Sequence, residues 1–313
     1  MQILILGAGA IGGYFGGRLV QAGADVTFLV RERRAAQLAA HGLVVKSPHG
    51  DFTLDVRFVQ QVGLRSTYEL VIVACKAYDL NAAIDSIRSV VGPGTHVLPL
   101  LNGLAHIDRL RAEFGAARVL AGTCRIPATL TADGEIHQLG PFHAITYGPL
   151  PGASAEARAK LDTLHEFYRR TPVEAALSDD MMLELWEKFV MLATLAAMTC
   201  LMRASVGDIM ATDDGEALMA ETLAAAVQTA AAAGYRPREQ AQAGFRKMLF
   251  ERGSPFTASM LRDLESGQRV EADHIVGDML KRARAAGVDP GPFRAAYCHL
   301  QASQARLRRE GGK

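Results

Sequence analysis

The chain opens MQILILGAGAIGGYFGG, Met1 to Gly17, and the fold turns on how this stretch is read. Gln2–Leu6 is a continuous apolar run, the pattern of a strand buried on both faces. Gly7-Ala8-Gly9-Ala10-Ile11-Gly12 follows, and a helical pattern covers Ile11–Ala22. Between a strand and a helix, each glycine has a use. Gly7 permits a tight turn, Gly9 lets a pyrophosphate approach the backbone, and Gly12 lets the helix pack close to the strand. The unpaired N–H groups and positive dipole end of the helix point the same way. Gly13, Gly16 and Gly17 continue the small face. Gly7, Ala8, Gly9, Ala10, Ile11 and Gly12 therefore read as a dinucleotide-binding loop, against the plainer reading of a glycine turn without a ligand.

Further along the chain, Asp25–Val30, Leu70–Ala74 and His96–Leu100 read as buried strands, with helical patterns at Leu80–Val90 and Ala105–Phe114. Strands alternating with helices imply a mostly parallel sheet covered on both faces. Two hairpins are expected, one turning at Ser47–Asp51 and one at Asp133–Gly134, a favoured tight-turn dipeptide. Thr171–Ala175 reads as a last strand. After Ser178 the pattern becomes helical: Met181–Met202, Glu216–Ala233, Pro237–Phe250, Glu271–Ala286 and Pro292–Arg309, punctuated by Gly234, Gly253, Gly267 and Gly287. The expected architecture is an α/β Rossmann-type domain over residues 1–177 and an all-α domain over 178–313.

Composition excludes several classes. Of 313 residues, 49% are hydrophobic and 21% charged, and the net charge is +1. That balance supplies no electrostatic footprint for nucleic acid or an anionic membrane. Cys75, Cys124, Cys200 and Cys298 stand far apart, so neither a zinc site nor a disulfide framework is expected, and no metal is assigned. A reducing, cytoplasmic setting fits this cysteine usage. The N-terminus carries no basic leader before its apolar run, so no signal peptide is read. The longest apolar stretch, Phe189–Met202, is about 14 residues, short of the about 20 that span a bilayer.

The end of the second strand usually selects the cofactor: an acid there bonds the ribose 2′-OH of NAD, an arginine accommodates the 2′-phosphate of NADP. Arg31 occupies the slot, which favours NADPH. Glu32 would occupy it if the strand ended one residue later, and Arg33 and Arg34 read equally well as a solvated helix start. Lys76 and Asn102 lie at the ends of the next two strands, where open α/β sheets bind ligands; a solvated loop lysine and a simple turn at Asn102-Gly103 are the alternatives. In the helical half, LWEKFVML places Lys188 at the mouth of an apolar helix. Glu184, four residues earlier, offers an ordinary helix-face ion pair.

Together, GAGAIGGYFG, CKAYD, LNG, WEK and SMLRDLESG followed by Glu271 resemble the ketopantoate reductase family, also called 2-dehydropantoate 2-reductases, over nearly the whole chain. The resemblance implies NADPH-dependent reduction of a 2-oxo acid to a 2-hydroxy acid, 2-dehydropantoate to pantoate in the family reaction of pantothenate biosynthesis. By matching positions it implies cofactor contacts from Gly7, Gly9, Gly12, Arg31, Lys76 and Asn102. Lys188 matches the catalytic lysine, Ser259 a substrate-binding serine, and Glu271 the glutamate that partners the site; Asn102 also faces substrate. Hydride addition builds negative charge on a carbonyl oxygen, and a positioned ammonium can stabilise that charge and deliver the proton. An ordinary helix cap for Ser259 and a dipole-favoured acid for Glu271 remain the alternatives.

The chain departs from the family pattern where amides usually stand. Leu192 and Ala196 lie four and eight residues after the lysine, Val206 precedes Gly207, and Phe256 precedes the serine. The expected partner is a small-molecule 2-oxo acid, with neither nucleic acid nor membrane, and a homodimer left open. A related reductase of a more apolar oxo acid or ketone, or a non-enzymatic NADP(H)-binding sensor, are the competing readings.

Overall fold

The computed structural model describes residues 1–64 and 68–311. The chain divides into two compact units, one of residues 1–101 and 106–181, the other of 102–105 and 182–313. The first unit runs β1 (Gln2–Leu6), α1 (Ala10–Gln21), β2 (Asp25–Leu29), α2 (Glu32–His41), β3 (Leu43–Lys46), β4 (Phe52–Leu54), β5 (Arg57–Val59), β6 (Leu70–Val73), α3 (Leu80–Ile87), β7 (His96–Pro99), α4 (Ala105–Phe114, whose first residue groups with the second unit), β8 (Ala121–Arg125), β9 (Ala128–Leu130), β10 (Ile136–Gln138), β11 (Ala144–Gly148), α5 (Ala155–Tyr168) and β12 (Glu174–Leu177).

Five strands form the parallel sheet β5-β2-β1-β6-β7. β1 lies at its centre, with Ile3 opposite Val26 on one side and Leu70 on the other. β6 and β7 are buried at every position, as expected of strands covered on both faces. The order reverses direction on either side of β1, which puts the β1–α1 turn at the topological switch point where such sheets bind ligands. This is a Rossmann-type domain. Smaller sheets β4-β3-β10-β9 and β12-β11-β8 complete the unit.

Both expected hairpins form. β3 and β4 pair antiparallel around Ser47–Asp51, and β9 and β10 around Gly134, which takes the left-handed φ of +92° that the turn demands. The last strand is displaced. It covers Glu174–Leu177 and pairs in parallel with β11, because Thr171 turns its N–H and hydroxyl back onto the Tyr168 carbonyl at 2.9 and 2.7 Å and closes α5 instead.

The second unit is helical throughout the described residues: α6 (Met181–Met202, whose first residue groups with the first unit), α7 (Val206–Met210), α8 (Gly215–Ala232), α9 (Glu239–Leu249), α10 (Ser259–Glu265), α11 (Asp278–Ala285) and α12 (Phe293–Arg309). α6 is apolar nearly all round, and Trp186, Phe189, Val190, Leu195 and Met198 are buried. Its Thr194 and Thr199 hydroxyls donate to the carbonyls one turn back, so their burial leaves no polar group unmatched. At 22 residues α6 has the length and apolarity to cross a membrane, but 72% of its apolar window is buried inside the fold, as in a core helix.

The continuous helix expected over Glu271–Ala286 is broken in character. Asp273–Gly277 forms a wider π-helical turn before α11 begins. The Tyr297 ring of α12 packs where a Cβ on Gly277 would stand, at 2.7 Å, and its hydroxyl lies 2.7 Å from Asp273. A small residue and a widened turn together admit that ring.

Candidate functional site

In the glycine loop each predicted role has a geometric counterpart. Gly7 has φ +97° and donates its N–H to the Leu29 carbonyl at 3.0 Å. A Cβ on Gly12 would stand 2.1 Å from the Gly7 carbonyl oxygen and 3.1 Å from the Ala74 Cβ, so only glycine lets α1 sit this close to β1 and the end of β6. A Cβ on Gly9 would meet nothing within 4 Å. Open space therefore lies over the loop at the cap of α1, which has no side-chain cap of its own. Space beside uncapped helix N–H groups is the donor set a pyrophosphate requires, and the loop fits that group. Ala8 is buried; Ala10 and Ile11 are half-buried.

Arg31 caps α2. The Val30 N–H still bonds the Val59 carbonyl at 3.0 Å, so Arg31 is the first residue clear of the sheet and Glu32 already belongs to the helix. The Arg31 side chain is 77% exposed, and its Nη2 lies 3.1 Å from Oδ2 of Asp79. Asp79 ends the short turn Ala77–Asp79 that follows β6, and exposed Lys76 caps that turn. Lys76, Arg31 and the glycine loop thus belong to one unit.

Arg34 is the residue that sequence reasoning passed over. Read as a solvated helix start, it is half-buried. Its Nε donates to the Ala8 carbonyl at 2.8 Å and its Nη1 to the Gly134 carbonyl at 2.7 Å. It braces the glycine loop against the β9–β10 hairpin and brings positive charge beneath it. Burial pushes its guanidinium pKa down, and its Nη2 is enclosed without a hydrogen-bond partner. The available signal was its place in the first turn of the helix that Arg31 caps, close to the strand end. Arg33 reaches the Ala132 carbonyl at 3.0 Å from an exposed position.

Asn102, Lys188, Ser259 and Glu271 all fall in the second unit. Asn102 lies between β7 and α4 in sequence, yet its segment groups with the helices. Gly103 beside it has φ +83°, and a Cβ there would stand 2.7 Å from the His274 carbonyl oxygen, one helical turn past Glu271. The Glu271 carbonyl accepts from the N–H groups of His274 and Ile275 at 3.2 and 3.1 Å, so Glu271 sits at the mouth of the π-turn. Ser259 is exposed and is the first residue of α10. Ala258 is the cap, so the ordinary capping role does not fall to the serine.

Lys188 is half-buried on α6 among Leu185, Trp186 and Phe189. The neighbouring acids Glu184 and Glu187 both bind Arg238. Arg238 donates from Nη2 to Glu184 at 2.7 Å, and from its backbone N and Nε to Glu187 at 2.8 Å each, with a further short contact from Nη2. Glu187 is only 7% exposed. This clamp is a second feature the sequence did not announce, because its partners lie 51 and 54 positions apart. Leu192 is half-buried, and Ala196 and Val206 are fully buried. The Val206 N–H bonds the Phe256 carbonyl at 2.9 Å, which brings two of the apolar departures side by side. Among the described residues no group of three or more His, Cys, Asp or Glu could hold a metal.

Comparison with known proteins accounts for this arrangement. The profile of the family described as ketopantoate reductase PanE/ApbA matches residues 3–152, and that of its C-terminal domain matches residues 180–302. The uncharacterized oxidoreductase YkpB of Bacillus subtilis is 33% identical over 97% of this chain and 99% of its own. The crystal structure of 2-dehydropantoate 2-reductase from Geobacter metallireducens is 27% identical, with a TM-score of 0.85 over 97% of this chain and all of that one. A ternary structure of D-mandelate dehydrogenase with NADH and anilino(oxo)acetate shares the fold at 22% identity, TM-score 0.85, over 98% of this chain and all of that one. The chain belongs to the ketopantoate reductase family and is a nicotinamide-dependent oxidoreductase.

Proposed function

We propose that the protein reduces a 2-oxo acid to the corresponding 2-hydroxy acid with NADPH, and that its substrate is more apolar than 2-dehydropantoate. Gly7, Ala8, Gly9, Ala10, Ile11 and Gly12 cradle the pyrophosphate, Arg31 meets the 2′-phosphate, and Lys76 and Asn102 contribute further cofactor contacts. Reduced nicotinamide supplies the hydride. As negative charge grows on the former carbonyl oxygen, the Lys188 ammonium stabilises it and passes one proton to it, leaving the hydroxyl of the product. Asn102 and Ser259 hold the substrate carboxylate, and Glu271 partners the site as acceptor.

The observation that carries this reading is the state of Lys188. It sits half-buried on an apolar helix whose two nearby acids, Glu184 and Glu187, are both bound by Arg238. An ammonium on an apolar helix stands in a low local dielectric, which strengthens its interaction with a transient anion. The substrate reading rests on Leu192, Ala196, Val206 and Phe256 standing where amides and other polar groups are usual. An apolar pocket separates hydroxyl from methyl by only about 100-fold, whereas a site built to bond a hydroxyl rejects its absence by about 10⁴-fold or more.

The deciding measurement is steady-state NADPH oxidation with 2-dehydropantoate and with the same 2-oxo acid lacking its terminal hydroxyl. The proposal expects the higher kcat/KM on the second. A clear preference for 2-dehydropantoate returns the protein to the plain family reaction, the reading favoured by the names of the Geobacter structure and other relatives. Binding of NADPH without turnover of any 2-oxo acid across a panel would favour a sensor.

A further inference from the structure

We propose that Asp79 is a second determinant of cofactor choice, and that the Arg31–Asp79 pair makes this enzyme accept both nicotinamide cofactors, with NADPH favoured by no more than about tenfold, or 1.4 kcal/mol. The inference rests on reading the first unit as dinucleotide-binding. It does not depend on which oxo acid is reduced.

An arginine that selects a 2′-phosphate offers both arms of its fork to the phosphate oxygens. Here one arm of Arg31 already holds Oδ2 of Asp79 at 3.1 Å. The two residues come from opposite sides of the switch point: Arg31 follows β2 and Asp79 follows β6, the two strands that flank β1. Their ion pair therefore spans the rim beside the β1–α1 turn. Carboxylates stand among the cations of this rim: Glu32 and Asp79 lie beside Arg31 and Lys76, with Arg33 and Arg34 further along α2.

A phosphate monoester brings a charge of about −1.5 to −2 at neutral pH. To reach Arg31 it must take a guanidinium arm from a carboxylate and then lie beside that carboxylate. A ribose 2′-hydroxyl has neither difficulty. It can donate to Asp79 and accept from Arg31, and so completes the pair instead of breaking it. In NAD-binding sheets the acid that bonds this hydroxyl stands at the end of the second strand. Here an arginine holds that position, and the acid arrives from the loop after β6. Side-chain exposures of 77% for Arg31 and 33% for Asp79 leave both groups accessible to a ligand.

The test is fluorescence titration of the full-length protein with NADPH and with NADH, for wild type, Asp79→Asn and the double variant Arg31→Ala/Asp79→Asn, each checked for an unchanged thermal midpoint. The wild type is expected to bind both cofactors within about tenfold of each other. Asp79→Asn should tighten NADPH by about tenfold and leave NADH within about threefold of wild type, because a neutral amide keeps its shape while the repulsion goes. In the double variant the NADPH gain should vanish. A wild-type preference for NADPH above about tenfold, or a ratio that Asp79→Asn leaves in place, overturns the inference while the reductase reading stands. Failure of wild type to bind either cofactor overturns the dinucleotide reading and this inference with it.

Discussion

Two arginines show how differently the two units hold charge. Arg31 lies on an exposed strand-end rim, makes one ion pair with half-buried Asp79, and keeps the rest of its fork in the open. Arg238 spreads its backbone and guanidinium donors over two carboxylates of α6, one of them buried. The first pair is cheap to open, since exposed pairs contribute about 0–1 kcal/mol. The second cannot be opened without stranding a buried acid, and so fixes α6 beside the start of α9. Similar chemistry thus gives an accessible, easily opened pair in one unit and a fixed one in the other.

The sharpest way to break the comparison is to remove the buried acid. Glu187→Ala should lower folding stability by about 3 kcal/mol, the lower end for a buried pair because Arg238 is itself half exposed. Urea unfolding followed through Trp186, the only tryptophan, reads this directly on α6. A change under 1 kcal/mol would show that the clamp resembles the exposed pair after all.

Next in size is the chemistry itself. Lys188→Ala should cut kcat about 100-fold or more, or about 2.7 kcal/mol in barrier, while cofactor affinity persists because the glycine loop belongs to the other unit. Normal turnover would leave Lys188 the ordinary helix-face role that Glu184, four residues earlier, offers it. Arg31→Ala should weaken NADPH binding by about 1.5–3 kcal/mol, the range for hydrogen bonds to charged groups, and NADH by less, since a neutral hydroxyl brings no charge to the guanidinium. Calorimetric titration of both cofactors checks it, and equal loss for the two would remove Arg31 from cofactor choice.

The smallest effect concerns pH. His96 and His143 are buried in the first unit, and burial pushes both below the ordinary histidine value of 6.5. The unfolded chain then binds protons that the folded chain refuses. Their stabilising effect is complete above about pH 6.5 and declines as pH falls below it. His299, half-buried in the second unit, shifts in the same direction. Urea midpoints by far-ultraviolet circular dichroism should therefore be lower at pH 5.5 than at pH 7.5, and His143→Gln should shrink the difference. Equal midpoints would show that these rings are protonated inside the fold.

Local pattern was enough for the elements that carry backbone function. A buried strand, three spaced glycines and a helix start lie within Gln2 to Gln21, and the chemistry they imply needs only short-range geometry. The hairpin at Gly134 and the position of Arg31 at the end of the second strand were legible for the same reason. Other features had no local signal. The π-turn at Asp273–Gly277 follows from Tyr297, some 24 positions away. The displaced strand β12 follows from its register with β11. Arg34 looked solvated because nothing near it in sequence announces the Ala8 and Gly134 carbonyls that it binds.

By itself, then, the sequence determined that a glycine loop opens a Rossmann-type domain, that a helical domain follows, and that a lysine stands on an apolar helix. These depend on periodicity and residue type, which act over a few residues. Tertiary structure decided that Asp79 meets Arg31, that Arg238 draws Glu184 and Glu187 to itself, and that Val206 lies against Phe256. Charge pairing and packing are settled by which groups come within a few ångströms once the chain has closed on itself, and that distance has no fixed relation to separation along the chain.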